Sequence, residues 1–244
     1  MVTIKAILNK YAIRNGKLVN AKQLSRTFER GLNSRCACPN CGANLSARFP
    51  EDKTPHFVHP KEACDKNEYL LSVLYYALRD TIEEKEVFYT PKLYATYKFL
   101  PKETEVLRKT VQKNVKLYEQ DGEKREKITD ESWNHCGATR FYYDSDGKII
   151  ALIANWKNYK YNFAIVIDSE KRIQKDLAIP SQNVLFIDVD SLEIDEKTNL
   201  ENIKFMLRGS KIKKKWLEHY KLERFVDDCV IRQSKWNRKQ DLEK

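Results

Sequence analysis

The hydrophobic positions of this 244-residue chain change their period several times, and each change marks an element. Near the start, TIKAILN and KLVNA alternate imperfectly around Asn15-Gly16, a dipeptide suited to a two-residue hairpin turn; residues 1–24 therefore read as a small β unit. SRTFERGLNS follows, with Ser25 placed to cap a short helix and Phe28 and Leu32 four residues apart. The strongest helical pattern is EYLLSVLYYALRDTIEEK. There Leu70, Leu71, Leu74, Ala77, Leu78 and Ile82 share one face, Asn67 is the expected cap and Glu68 lies in the first turn. The segment VFYTPKLYATYKF is β-branched and aromatic, and predicts a strand pair or one bulged strand, with Pro91 at an edge or turn.

The stretch 101–134 is highly charged. Val106, Leu107, Val111 and Val115 give EVLRKTVQKNVKLY a helical period, so it reads as an inserted helix or as a strand with a polar loop. ATRFYY and KIIALIANW then flank Asp144-Ser145-Asp146-Gly147, a hairpin turn sequence, and FAIVID is a further strand. SEKRIQKDL predicts a short helix capped by Ser169, and VLFIDVDSL a strand apolar enough for burial on both faces. LENIKFMLRGS predicts a helix ending at Gly209. KIKKKWLEHYKLERFVDDCVIRQSKW reads as helical too, with Trp216, Leu217, Tyr220, Phe225, Val226 and Cys229 as a broken apolar set. Strands interleaved with helices predict an α+β or α/β fold in three parts: a β-hairpin and metal-binding unit over 1–65, a mixed sheet with helices over 66–198, and a basic helical region over 199–244.

Composition narrows the function. The net charge of +10 and a pI of about 9.2 fit a polyanionic partner, nucleic acid first, although a lysine-rich chain without such a partner has the same total. No apolar run approaches the ~18 residues of a membrane span, so no membrane partner is expected. MVTIKAILNKYAIRNGK has no apolar core of an export signal, which predicts a cytoplasmic protein with reduced thiols. Lys211, Lys213, Lys214 and Lys215 form the densest basic cluster. They are candidate phosphate contacts, or else the solvated start of a helix.

Four of the six cysteines and two of the four histidines fall between Cys36 and Cys64. Cys38, Cys41, His59 and Cys64 have the spacing C-x2-C-x17-H-x4-C. Pro39, Asn40 and Gly42 suit the tight turn that two thiolates need if they are to share one ion, which points to structural zinc. A disulfide framework is the competing reading. The absence of an export signal and the isolated Cys136 and Cys229 argue against it. His56 and His59 are three apart and face opposite sides of a strand, so one binds metal and the other packs or orients a ligand; His59 is favoured and Cys36 is a bystander.

GKLVNAKQL, CPNCG, PHFVH, Cys64, NEYLLSVLYYAL, ATRFYYDSDGKIIALIA, VLFIDVDSLEID and KKKWLEHYK follow one another in an order that resembles the competence-protein CoiA-like family. The resemblance spans most of the chain, and the cysteine stretch is its specific part. It implies a zinc-finger-like unit joined to a restriction-endonuclease-like PD-(D/E)xK core that acts on DNA. In such a core, acids on two neighbouring strands hold Mg²⁺, which activates water and stabilises charge on the phosphoryl group. At the matching places this chain has Ala138-Thr139, then a strand from Ile149 to Asn155 without any acid. Asn155-Trp156-Lys157 has the shape of the (D/E)xK triplet, with an amide for the carboxylate.

The resemblance thus leaves Glu68, Lys157 and, as a migrated acid, Asp168 as the candidate catalytic residues. Three functions follow. A nucleic-acid-binding protein with an inactive nuclease-like core would use the lysine cluster and the aromatics near the hairpin, Trp156 and Tyr159 among them. A Mg²⁺-dependent DNA nuclease would use displaced acids. A non-enzymatic adaptor of a phage or defence system would bind another protein through the same basic surface.

Overall fold

The computed structural model describes residues 9–60, 64–85, 87–96, 116–118, 126–129, 132–156, 162–172, 179–195 and 198–242. The fold is mixed α+β. Its first sheet is built from β1 (Tyr11–Arg14), β2 (Lys17–Asn20), β3 (Gly31–Ala37), β4 (Asn44–Arg48) and β5 (His56–Val58), in the order β2-β1-β3-β4-β5. All its pairings are antiparallel. Asn15 and Gly16 take φ values of 51° and 75° between β1 and β2, the left-handed pair that the hairpin dipeptide predicted. Ser25–Arg30 does not form the expected helix. It is a turn that feeds β3, closed by the Glu29 amide donating to the Ser25 carbonyl (3.0 Å). Phe28 and Leu32, which the helical spacing placed four residues apart on one face, are 79 % and 66 % exposed.

Helix α1 (Lys66–Lys85) follows. Its cap is Asp65 and not Asn67: the Asp65 carboxylate accepts from the amides of Asn67 (2.8 Å) and Glu68 (3.0 Å), as an acidic N-cap does. More than one face of α1 is buried, because it packs against both β2 of the first sheet and strands of the second. Tyr69 donates its hydroxyl to the Tyr11 carbonyl (2.6 Å), and the Leu18 amide donates to the buried Asp80 carboxylate (3.1 Å). On the other side the Tyr75 hydroxyl donates to the Ile150 carbonyl (2.8 Å) and accepts from the Ile167 amide (2.9 Å).

Beyond α1 come β6 (Val87–Thr90), β7 (Leu93–Thr96), β8 (Lys116–Tyr118), β9 (Glu126–Thr129), β10 (Ser132–Tyr143), β11 (Ile149–Trp156), β12 (Asn162–Asp168), β13 (Val184–Asp188), helix α2 (Leu200–Arg208), β14 (Lys214–Glu218) and helix α3 (Leu222–Leu242). The aromatic segment after α1 is thus two strands in different sheets. β7 lies between β8 and β9, while β6 is an edge of the six-stranded sheet β14-β13-β12-β11-β10-β6. Most of the charged stretch 101–134, including the bulk of its helical pattern, lies outside the described residues; β8 and β9 are its described strands, together with the start of β10. In the six-stranded sheet only β12 and β13 pair in parallel. Ser169–Arg172 forms a turn, and the rest of the helix expected over SEKRIQKDL lies outside the described residues.

Period-two alternation makes this sheet two-sided. Leu152, Ala154, Phe163, Ile165, Ile167, Leu185 and Ile187 join the core around α1. Ala151, Ile153, Ala164, Val166, Val184 and Phe186 form a second cluster on the opposite face. The α1 cluster is continuous from Tyr11 to Trp216 and crosses residue 65.

The largest departure from expectation is at Lys214–Glu218. The segment read as helical is β14, the strand beside β13. Ile212, Lys214 and Trp216 point inward and are buried, an alternation that a helical reading of the lysine run hides. The Trp216 indole donates to the Pro91 carbonyl (3.1 Å).

Candidate metal centre and the cleft beside it

The four candidate donors arrive from three places: the turn after β3, the residue after β5, and the approach to α1. The Cys38 amide donates to the Ala43 carbonyl (2.8 Å) and the Gly42 amide to the Cys38 carbonyl (3.0 Å), which folds Pro39–Gly42 into a tight loop. Gly42 sits at φ 71°, a conformation that costs glycine little, and the loop brings the buried Cys38 thiol and the exposed Cys41 thiol together. Sγ of Cys38 lies 3.6 Å from Sγ of Cys64, and Sγ of Cys41 lies 3.0 Å from Nε2 of His59. All four donor atoms fall within 4.8 Å of one another. Metal–sulfur bonds of ~2.3 Å at tetrahedral angles put two sulfurs ~3.8 Å apart, so the arrangement fits one tetrahedral ion.

The electrostatics fit as well. Burial pushes the Cys38 thiol up to about 12. Cys41 is shifted the other way: burial opposes ionisation, but the Ala43 amide and His59 outweigh it and hold the thiol below its ordinary value. A bound cation would favour the thiolate at every one of these cysteines. His59 Nδ1 is 3.2 Å from the Pro60 carbonyl; a proton donated there leaves Nε2 as the ligating nitrogen. His56 instead turns its Nδ1 to the Thr54 carbonyl (3.1 Å), and Cys36 is a buried strand residue near the Ser34 carbonyl. Cys38, Cys41, His59 and Cys64 therefore form a group able to hold a metal ion.

Asn40, between Cys38 and Cys41, joins this loop to α1: its side-chain oxygen accepts from the Ser72 hydroxyl (3.3 Å). It also lines a cleft of about 360 Å³ with Glu68, Tyr75, Asp144, Lys148, Asp168 and Arg172. Two ion pairs cross the wall of this cleft, Glu68–Lys148 (2.5 Å) and Asp168–Arg172 (2.9 Å). The Glu68 carboxylate raises the Lys148 ammonium above its ordinary value. Asp144 closes the hairpin turn, accepting from the amides of Asp146 (2.9 Å) and Lys148 (2.8 Å). Among the described residues, the cysteine–histidine group is the one set of three or more His, Cys, Asp or Glu side chains placed to hold a metal.

Two of the three expected catalytic residues, Glu68 and Asp168, thus line one cleft. Lys157 lies outside the described residues, as does Tyr159, and of Trp156 only its place at the end of β11 is described. Glu68 meets the hairpin at its turn, through Lys148, and is remote from Thr139, one of the positions with which the resemblance paired it. Thr139 donates to Glu83 (2.7 Å), fifteen residues and ~22 Å further along α1. Asn40, Lys148 and Arg172 were absent from the candidates, and Asp144 entered as a hairpin-turn residue. The one signal for them was the i,i+4 pairing of Asp168 with Arg172, since Asp144 reads as a turn residue and Lys148 as a solvated charge.

The lysine cluster is not a free patch. Lys214 is 1 % exposed; its ammonium donates to the carbonyls of Tyr89 (3.2 Å) and Arg208 (3.1 Å) and lies 4.0 Å from the centre of the Phe88 ring. Lys213 and Lys215 both grip Glu170, at 2.6 Å in the case of Lys213, and hold its carboxyl down to about 2. Lys211 is exposed. No described helix is long and apolar enough to cross a membrane. Compared with protein-family models, curated proteins and solved structures, the chain matches none of them.

Proposed function

We propose that this chain is a zinc-stapled nucleic-acid-binding protein of CoiA-like descent, whose sheet retains a nuclease-like plan without the acid pair of such an enzyme. The observation that carries this reading is β11. Where the resemblance calls for a carboxylate, Ala151, Leu152, Ile153 and Ala154 are all buried and apolar, and Thr139 opposite Ala154 is engaged by Glu83. Magnesium needs hard oxygen ligands, and that strand offers none in its core. Zinc is the ion that three thiolates and an imidazole in a closed tetrahedron suit best. DNA is the favoured partner, from the resemblance and the net charge of +10.

The test is a binding titration on single- and double-stranded DNA over a salt series, beside a cleavage assay with Mg²⁺ and Mn²⁺. Binding that weakens steeply with salt, with the substrate left intact, is the expected result. Absence of binding to any nucleic acid would reject it. Native mass spectrometry should find one zinc ion per chain.

A second reading, a metal-dependent nuclease with displaced acids, is favoured by one observation: Glu68, Asp144 and Asp168 line the same cleft. There Lys148 or Arg172 would supply the positive charge expected of Lys157. Under this reading Glu68→Ala and Asp168→Asn each abolish cleavage; cleavage that survives both changes assigns the activity elsewhere.

A further inference from the structure

We propose that the turn and bulge spanning Ser25–Arg35 form a contact surface for single-stranded nucleic acid, in which Phe28 stacks on a base and Arg26, Arg30 and Arg35 meet phosphates. This rests on the nucleic-acid-binding reading and moves its interface away from Lys213 and Lys215, which share Glu170, and from the buried Lys214.

The surface combines apolar and cationic exposure. Phe28 and Leu32 are the most exposed large apolar side chains of the first sheet, at 79 % and 66 %. Arg26, Arg30 and Arg35 alternate with them and are exposed as well. The one carboxylate of the segment, Glu29, is turned inward. It pairs with Arg14 and accepts from the Ser25 amide (2.6 Å), which holds its carboxyl below the usual range. Among the described residues no ion pair engages Arg26, Arg30 or Arg35. Local charge is therefore +3 on a face that also presents an aromatic ring. That pairing suits a polyanion with unstacked bases, which offers phosphates to the arginines and a flat face to the ring at each nucleotide, better than a surface of carboxylates alone.

The display is fixed and not a slack loop. The Phe28 amide donates to the Ser25 hydroxyl (3.4 Å), and the Ser34 hydroxyl to the Gly31 carbonyl (3.0 Å). The β3–β4 ladder slips between Gly31 and Cys36, a bulge that lifts Leu32–Arg35 out of the pairing. Arg35 takes φ 51°, a left-handed conformation costly for arginine, and the bulge thereby aims its side chain outward. A ring held clear of the protein on such a frame loses little freedom when it stacks. It reaches a base only in a strand whose bases are open, which selects single strands over duplex.

The experiment is fluorescence anisotropy with labelled oligothymidylate and with a duplex, using the full chain loaded with zinc, with thermal melts to show that each variant is folded. Phe28→Ala should weaken oligothymidylate binding on the order of tenfold, and Phe28→Trp should retain it. Arg26→Ala with Arg30→Ala should lower the salt slope of log affinity by roughly 1.4, at ~0.7 per phosphate. If the folded variants bind oligothymidylate as the parent does, the surface is overturned while the binding reading stands. If the parent binds neither probe, the binding reading fails and takes this one with it. Weakening by the arginine changes alone, with duplex preferred, would overturn the stacking role of Phe28.

Discussion

The two large sheets are held together in different ways. The five-stranded sheet has short strands, and its buried set is sparse: Tyr11, Ala12, Leu18, Cys36, Leu45, Ala47 and Phe57 carry most of it. Its far end is closed by donor atoms from Cys38, Cys41, His59 and Cys64. The six-stranded sheet buries all five residues of β13 and five of the seven in β12, and places apolar clusters on both faces. The small sheet, with little to bury, carries at its end a group able to hold a metal ion; the larger one is held by burial on both faces.

Removing the metal should break the comparison most sharply. Cys41→Ser, or chelation, is expected to destabilise the five-stranded sheet by on the order of 5 kcal/mol, seen as a large drop in melting temperature and loss of zinc in native mass spectrometry. An unchanged melt after complete metal removal would mean that packing alone supports that sheet.

The second test belongs to the other sheet. His219, just past β14, is 4 % exposed, lies between Trp216 and Tyr220, and accepts from the Lys221 amide (3.3 Å). Burial first, and Lys221 second, lower its pKa to about 4. A folded pKa below the unfolded ~6.5 stabilises the protein above pH ~6.5, and that contribution is lost as pH falls toward 4, by up to about 3 kcal/mol. Urea midpoints measured across this window should fall with acid, and His219→Gln should flatten the slope there.

Tyr75→Phe removes a hydroxyl that satisfies both the Ile150 carbonyl and the Ile167 amide at the seam between α1 and the sheet. The orphaned amide should cost about 2 kcal/mol in chemical denaturation. The smallest effect is expected at Glu170→Gln, which releases Lys213 and Lys215 on the surface. Stability should change by less than about 1 kcal/mol, while salt-sensitive binding of polyanions at Lys213 and Lys215 should strengthen. A large loss of stability at Glu170 would show that β14 is anchored by charge and not by Trp216.

The sequence disclosed features governed by local chemistry. Asn15-Gly16 declared its hairpin because few other dipeptides accept two left-handed residues, and the cysteine spacing declared a group able to hold a metal because a tight turn brings such thiols together. Gly209 closed α2 as expected. Features set by distant partners stayed hidden. Lys214 read as solvated because nothing beside it in sequence reveals the carbonyls of Tyr89 and Arg208 that receive its ammonium. Phe28 and Leu32 matched a helical spacing, yet the Arg14–Glu29 pair and the β3 bulge hold that segment in another shape. The cleft was half visible: Glu68 and Asp168 were named from the resemblance, but Lys148 and Arg172 join them only through folding.

Helix α1 is shared property. Tyr69 is bonded to β1 and Asp80 to β2, while Tyr75 is bonded to β11 and β12. Neither sheet can peel away without stripping a face of the helix that the other still relies on. Opening should accordingly be all-or-none in spite of the two unlike sheets. Amide protons from Tyr69 to Ile82 should then exchange at the rate of global unfolding, and a protease should find no long-lived half-molecule to release.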